Sequence, residues 1–332
     1  MAPFSHAAAN LPPPTDASTI YCRGEVGHTP YAYPTDDPLA LVVVKSIQIS
    51  LAMLTQSRVR QAFARLANAY SQAHPEAWYL EDRSLRKNME LVTIAFFKSI
   101  LVEFPTVVVD YTMTSPSKMS SHARCAWDGQ FEPCKQSIQI NAKASEQQAL
   151  FKEFVYMNDC VGEDPSARDE EESRCLMFIF ANYILREIGH VFVTFLSKGR
   201  EESPSLFDGR FDKTPGNADR TLEEMILGGT VKVFKHPHIE FWGTRCMLQA
   251  GVPCLIALHQ TSPSDLVYEF HPITQEAIDK TIKGKFEFPY QTSRSGADGA
   301  TKGPLHQLDI GAVSEITTTL FYLPTIALSA HR

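Results

Sequence analysis

Apolar residues recur at helical intervals in the first third of the chain and form one nearly continuous run near its middle. The first pattern predicts one long helix over residues 39–70 and a second helical region that begins at Pro75 and ends at Pro105. The middle run, residues 173–197, is apolar on nearly all sides, which predicts a buried helix at the centre of the fold.

Strand patterns are few and short. Residues 106–111 are β-branched, and residues 137–141 alternate polar and apolar, as an edge or half-buried strand does. Downstream, residues 218–227 are predicted to form a short helix ended by two glycines, with strands at 230–234 and 255–258. Helices and strands do not alternate regularly, so the sequence predicts an α+β fold, mostly helical with a small mixed sheet.

The chain divides into a leader and one domain. Residues 1–38 are Pro-rich and are predicted to be a flexible leader, which leaves residues 39–332 as a single catalytic domain. Within that domain, residues 115–133 are rich in turn-forming residues, and residues 146–158 are predicted to be helical.

Composition narrows the class of protein. With 44% hydrophobic and 21% charged residues, the chain is typical of soluble globular proteins. The net charge of −7 makes the protein acidic as a whole, which excludes the overall positive charge typical of many nucleic-acid-binding proteins. A local basic patch is compatible with this net charge. No signal peptide is evident and the seven cysteines form no CxxC pair, so we expect a cytoplasmic protein. Charged residues interrupt the apolar run, so we expect no membrane span.

The most distinctive motif is the pentapeptide Arg-Glu-Ile-Gly-His at residues 186–190, inside the apolar run. In zinc proteases, His-Glu-x-x-His places two metal-binding histidines on one helical face beside a glutamate that acts as general base. Glu187 and His190 occupy the base and second-ligand positions, but Arg186 replaces the first histidine. Because a guanidinium has no lone pair for a metal, we predict no metal ligand set and no cofactor here.

The surroundings of the motif resemble a degenerate zincin scaffold. A strand precedes the helix, and the helix at 218–227 carries Asp219, Glu223 and Glu224, whereas glutamate-type zincins take a third ligand from such a second helix. Arg186 is then expected to replace the metal as the local cation by pairing with Glu223 or Glu224. A buried Arg–Glu pair and a hydrogen-bonded histidine without catalytic role would give the same pattern.

The acidic pair Asp219 and Glu223 lies four residues apart and therefore on one helical face. Like charges at this spacing repel each other unless a cation or a proton lies between them. The pair therefore indicates either a solvated surface paired with a nearby arginine, or a catalytic site in which the two residues form a clamp for a cationic group of a substrate or an acid/base pair.

The chain carries neither a GxGxxG nor a GxxxxGK[ST] motif. Its size, this lack of a nucleotide-binding motif and the sequence Asp219-x-x-x-Glu223 resemble the fungal arginine-containing cyclodipeptide synthases. The resemblance implies a secondary-metabolite enzyme that joins arginine to a second amino acid as a diketopiperazine. It also implies that arginyl-tRNA and a second aminoacyl-tRNA are the substrates, which need no ATP because their esters are already activated.

Such an enzyme needs a base, an oxyanion donor and a surface for tRNA. Glu187 and His190 are the candidates for deprotonating an α-ammonium group, and Arg186 is the candidate for stabilising an oxyanion. Basic residues on the first predicted helix are the candidates for tRNA binding, although a solvated helix face explains them equally well: Arg58, Arg60 and Arg65. The alternatives are a metallopeptidase-like protein, inactive or with altered metal use, and a non-enzymatic binding protein of a biosynthetic pathway.

Overall fold

The computed structural model describes residues 20–24, 30–32, 38–80, 85, 88–113, 119–141, 167–199, 218–234, 252–262 and 265–292. These residues form six α-helices and two sheets, which confirms the predicted α+β class. The predicted helix at residues 146–158 lies outside the described residues.

The larger sheet is mixed and has five strands in the order β2-β1-β3-β5-β4. Its strands are β1 Ile20–Arg23, β2 Tyr31–Ala32, β3 Thr106–Asp110, β4 Ser120–Ala123 and β5 Ser137–Asn141. Strands β1, β3 and β5 are parallel to one another, and the edge strands β2 and β4 are antiparallel to their neighbours. The strands predicted near residues 106 and 137 are confirmed, but β5 lies inside the sheet and not at its edge.

Three strands of this sheet, β1, β2 and β4, were not predicted. The prediction of a flexible leader over residues 1–38 is wrong for β1, whose Ile20 is fully buried and which pairs with β3 through all four of its residues. The prediction of turns over residues 115–133 is wrong for β4, which pairs with β5 although its sequence is Ser-Ser-His-Ala. Backbone hydrogen bonding to a neighbouring strand overrides weak local propensity in both cases.

The prediction of one helix over residues 39–70 is wrong because the chain turns sharply near residue 55. Helix α1, Pro38–Leu54, and helix α2, Ser57–Ala73, meet at an angle of 77°. Short-range bonds from the Thr55 and Gln56 amides to carbonyls three residues earlier close the end of α1. The bend lets each helix turn its apolar face toward the core.

The second predicted helical region is described only in part, and Leu85 within it is helical. Residues Trp78–Leu80 form a single 3₁₀ turn, and helix α3 spans Met89–Val102. The Asn88 side chain caps α3 by accepting a hydrogen bond of 3.0 Å from the Glu90 amide, which fixes where the helix begins.

Helix α4, Ala167–Ser197, forms the centre of the core and confirms the predicted buried helix, although it begins earlier than residue 173. It is long and apolar enough to cross a bilayer, yet 83% of its apolar window is buried inside the protein, as in the core helix of a soluble protein. Helix α1 packs closely on α4: the Ser46 and Ser50 hydroxyls donate to the α4 carbonyls of Met177 and Ala181.

The remaining elements follow α4 in sequence. They are helix α5 Ala218–Leu227, strands β6 Thr230–Phe234, β7 Val252–Ser262 and β8 Asp265–Pro272, and helix α6 Gln275–Ile282. The predicted bounds of α5 and β6 are confirmed, whereas the strand predicted at 255–258 is part of the longer β7. The last three strands form a separate antiparallel sheet in the order β6-β7-β8.

Candidate functional site

Helix α4 carries polar residues on the face that meets the edge strand β4. Glu187, His190 and Thr194 are three and four residues apart, so they lie along one side of the helix. On β4, Ser120 and His122 are two residues apart and therefore project from the same side of the strand. We call Ser120, His122, Glu187, His190 and Thr194 the α4–β4 polar cluster.

Ser120 and Glu187 make the shortest contact of this cluster. The Ser120 hydroxyl donates to Glu187 Oε1 over 2.6 Å, a distance typical of a strong hydrogen bond to a carboxylate. The Glu187 side chain is only 2% exposed, and its other oxygen, Oε2, is buried with no hydrogen-bond partner among the described residues. A buried carboxylate oxygen without a hydrogen-bond partner typically lowers stability by about 1–3 kcal/mol, so this position calls for an explanation.

His122 is held by groups on both sides of its ring. Gln136 Oε1 accepts a hydrogen bond from the Cys125 amide, and Gln136 Nε2 donates one to the Cys125 carbonyl. These two bonds fix the orientation of the Gln136 side-chain amide. Gln136 Oε1 lies 3.3 Å from His122 Nε2, so this nitrogen carries a proton and donates. The other nitrogen, Nδ1, is then the acceptor that faces the Thr194 hydroxyl at 3.5 Å.

The protonation of His122 is controlled by its surroundings. Its pKa is lowered from the usual 6.5 to about 3, chiefly because burial disfavours the imidazolium, and further because of the His190 and Arg124 charges. The hydrogen bond to Gln136 opposes this shift but does not cancel it. His122 is therefore a neutral hydrogen-bonding residue at physiological pH.

The low pKa of His122 predicts a loss of stability in acid. Below pH 6.5 the unfolded chain binds a proton at His122 that the folded protein binds only near pH 3, so acid favours unfolding in that window. We expect the free energy of unfolding to fall by up to about 1.4 kcal/mol per pH unit from this residue alone. Urea unfolding at pH steps between about 7.5 and about 4.5 measures the slope.

The histidine variants separate this contribution from that of the carboxylates. His122→Gln is expected to flatten the slope relative to wild type, whereas His271→Gln, at a half-buried histidine elsewhere, is expected to keep it. An unchanged slope in His122→Gln contradicts the assignment.

Helix α5 approaches α4 at a glycine. A Cβ atom at Gly189 would lie 2.8 Å from Leu222 Cδ2, which is closer than such atoms normally come. The approach therefore depends on the missing side chain of Gly189. Glu223, next to Leu222, is 3% exposed, whereas Glu224 is exposed.

The position of α5 is fixed at its C-terminal end. Gly228 has a φ of +88° and faces the Pro289 ring, where another residue would be strained, and the Tyr290 amide donates to the Leu227 carbonyl. On the other side, Arg58 Nε of helix α2 donates to the Met225 carbonyl over 3.0 Å. These contacts fix the position of α5, and with it the buried position of Glu223 next to α4.

The structure brings together only some of the predicted site residues. Glu187 and His190 belong to the α4–β4 polar cluster, Glu223 is buried on the helix that packs against Gly189, and Arg186 is half-buried on α4. Asp219 lies one turn before Glu223 on the same helix. Glu224, which the sequence also suggested as a substrate-binding residue, is exposed on the same helix.

The three arginines predicted to bind tRNA do not share one surface. Arg58 and Arg65 are seven residues apart on α2 and exposed, so they lie along one face. Arg60 lies on another side of α2, half-buried, with its Nε enclosed. Arg60 is therefore not placed as a member of a basic surface patch.

Sequence patterns missed three members of the cluster, Ser120, His122 and Thr194. Ser120 and His122 lie in the segment predicted to be turns, and their only signal is the polar alternation Ser-Ser-His, which is too short to stand out. Among the described residues, no group of three His, Cys, Asp or Glu side chains is arranged to hold a metal ion.

Comparison of the chain with models of protein families, with curated proteins and with solved structures found no match.

Proposed function

We propose that this protein is a tRNA-dependent cyclodipeptide synthase that forms arginine-containing diketopiperazines in fungal secondary metabolism. The observation that carries the proposal is the burial of two carboxylates, Glu187 and Glu223, on helices that touch at Gly189 and Leu222. A buried carboxylate binds a cationic group through charge-assisted hydrogen bonds, so these two positions are the proposed contacts for a cationic substrate.

An arginine substrate matches this arrangement by its chemistry. A guanidinium presents several N–H donors in a plane and binds carboxylates through paired, charge-assisted hydrogen bonds. Glu223 with Asp219, one turn apart on α5, supplies the proposed clamp for this group. Arg186, half-buried on the adjoining helix, is proposed to orient the carbonyl oxygen of the ester or to balance the acidic charge.

Amide formation from an aminoacyl-tRNA needs proton transfer but no activation by a nucleotide. An α-ammonium group must lose a proton before its nitrogen attacks the ester carbonyl. Glu187 is the proposed base, since Ser120 orients it, and His190 is the proposed proton carrier at the half-buried end of the cluster. His122 is not the proposed base, because a pKa of about 3 makes its imidazole a weak proton acceptor at neutral pH.

Transfer RNA requires a local basic surface on this acidic protein. The exposed pair Arg58 and Arg65 on α2 is the proposed contact, and Arg58 also binds the backbone of α5. A phosphate bound there would lie beside the helix that carries Glu223. Aminoacyl-tRNAs are available in the cytoplasm, which is the proposed location.

The scaffold is proposed to be zincin-like with the metal replaced. A strand upstream, the central helix and a carboxylate-bearing helix downstream occur in the order that this scaffold implies, and α5 packs against α4 beside the motif. The alternative is a metallopeptidase-like protein on the same scaffold, inactive or with altered metal use.

Product formation tests the proposal. Purified protein is mixed with enzymatically charged arginyl-tRNA and a pool of other aminoacyl-tRNAs, and we expect cyclo-(Arg-Xaa) by mass spectrometry. Pretreating the charged tRNA with ribonuclease is expected to abolish the product, because free aminoacyl-adenosine lacks the phosphates that Arg58 and Arg65 contact. No product from intact charged tRNA, together with stoichiometric zinc and peptide hydrolysis, would establish the metallopeptidase alternative instead.

A further inference from the structure

A cavity of about 480 Å³ lies between helix α1, helix α4 and the turn that follows helix α6. Pockets of about 300–1,000 Å³ commonly bind small molecules. The apolar walls of this cavity are Ile49 and Ala52 of α1, Met177 of α4, and Ile282 and Phe286 at the end of α6. We call it the α1–α6 cavity.

The α1–α6 cavity is separate from the site proposed for catalysis. Met177 lies ten residues before Glu187 on α4, which corresponds to about 15 Å along the helix axis. Helix α1 covers α4 at this level, since the Ser46 hydroxyl donates to the Met177 carbonyl over 3.2 Å. None of the five residues of the α4–β4 polar cluster lines the cavity.

The turn after α6 forms one wall of the cavity and is fixed by its own backbone. The Gly284 amide donates to the Thr281 carbonyl over 3.0 Å, and the Lys285 amide donates to the Lys280 carbonyl over 2.8 Å. Gly284 has a φ of +72°, and no atom lies within 4 Å of the place of a Cβ, so this residue makes the turn without filling the mouth of the cavity. The wall that carries Phe286 is therefore in place before a ligand binds.

The rim of the cavity is positively charged. Lys45 on α1 and Lys283 after α6 line it, and both side chains are exposed. Among the described residues that line the cavity none is acidic, and neither lysine forms an ion pair within the part of the chain that the structure describes. Lys280, one turn before Lys283, is instead neutralised by Glu276 and Glu287 at 3.0 and 2.9 Å. The cavity therefore combines an apolar wall with two cationic groups.

We propose that the α1–α6 cavity binds a small carboxylate with an apolar tail, a site that goes beyond the proposed function. The carboxylate contacts Lys45 and Lys283, whose ammonium groups donate charge-assisted hydrogen bonds. The tail lies on Ile49 and Phe286, which are only partly buried and which the ligand removes from water. Free phosphate would leave this apolar wall exposed, and an uncharged apolar molecule would leave both ammonium groups without a partner.

Calorimetric titration of the full chain with octanoate, kept below its critical micelle concentration, tests the proposal. We expect a single octanoate to bind each chain. Acetate lacks the tail and octanol lacks the charge, so each is expected to bind at least about tenfold more weakly. No binding of octanoate, or equal affinities for octanoate and octanol, overturns the proposal.

Matched variants locate the ligand. Lys283→Gln is expected to weaken octanoate binding about three- to tenfold, because a charge-assisted hydrogen bond is lost. Lys285→Gln removes the same charge from an exposed lysine of the same turn that does not line the cavity, and we expect it to bind like wild type. Equal affinities of these two variants for octanoate overturn the assignment to this cavity.

A cavity-filling variant tests the apolar wall independently. Ala52→Phe places a ring in the cavity from α1 and is expected to abolish octanoate binding. Urea unfolding shows whether this variant is folded, and the comparison of the two lysine variants holds in either case. Wild-type affinity in folded Ala52→Phe contradicts binding in the α1–α6 cavity.

Discussion

Replacing Glu223 by glutamine is expected to lower the rate of cyclo-(Arg-Xaa) formation about 10²- to 10³-fold. The substitution keeps the shape of a side chain that is 3% exposed but removes the charge that the proposed arginine clamp needs. Truncating one partner of a buried, hydrogen-bonded charge pair weakens binding by about 2–5 kcal/mol, and about 1.4 kcal/mol corresponds to a tenfold change in rate. Initial rates at limiting arginyl-tRNA measure the effect.

The adjoining residue provides the control for this prediction. Glu224→Gln changes the same charge on the same helix at an exposed position, and we expect less than about a threefold change in rate because exposed charges contribute little. Asp219→Asn is expected to resemble Glu223→Gln, since the two residues share a helix face. Equal rates for Glu223→Gln and Glu224→Gln would remove Glu223 from the substrate site.

Replacing Gly189 by valine is expected to lower the free energy of unfolding by about 2–3 kcal/mol. In an unhindered helix this substitution is mildly favourable because glycine is a poor helix former. Here the new side chain meets Leu222, which is 1% exposed and has little room to move. Overpacking a well-filled core typically lowers stability by about 1–3 kcal/mol, which outweighs the helical gain.

A double-mutant cycle identifies the contact responsible. Leu222→Ala alone is expected to lower stability, and we expect the double variant Gly189→Val with Leu222→Ala to be more stable than the sum of the single effects by at least about 1 kcal/mol. Urea unfolding measures all four proteins without reference to any catalytic activity. Additive effects would show that the two helices do not meet at this point as described.

The elements with clear periodicity could be predicted from sequence. The buried helix α4, the short helix α5 and strand β3 each combine a strong apolar or β-branched pattern with recognisable ends. The bend between α1 and α2 could not be predicted, because neither glycine nor proline marks residues 55–56 and the break serves the packing of both helices on the core. Strands β1 and β4 were missed because their pairing partners, and not their own residues, hold them in the sheet.

The candidate site shows the same division. Glu187, His190 and Glu223 were predicted because they occupy helical positions whose spacing is visible in the sequence. Strand β4 is far from α4 in sequence and is held in place by its pairing with β5. No local sequence pattern therefore predicts the contact between Ser120 and Glu187. The difference between buried Glu223 and exposed Glu224 likewise required knowing which side of α5 meets Gly189.

The late position of α4 in the chain has a consequence for synthesis on the ribosome. Helices α1 and α2 emerge long before α4, which supplies the apolar surface that covers them in the finished protein. Until α4 leaves the exit tunnel, the nascent chain exposes hydrophobic side chains such as Val43, Leu51 and Phe63 to solvent. Chains of this kind are prone to premature association, so efficient production is expected to depend on chaperones that bind the nascent helices.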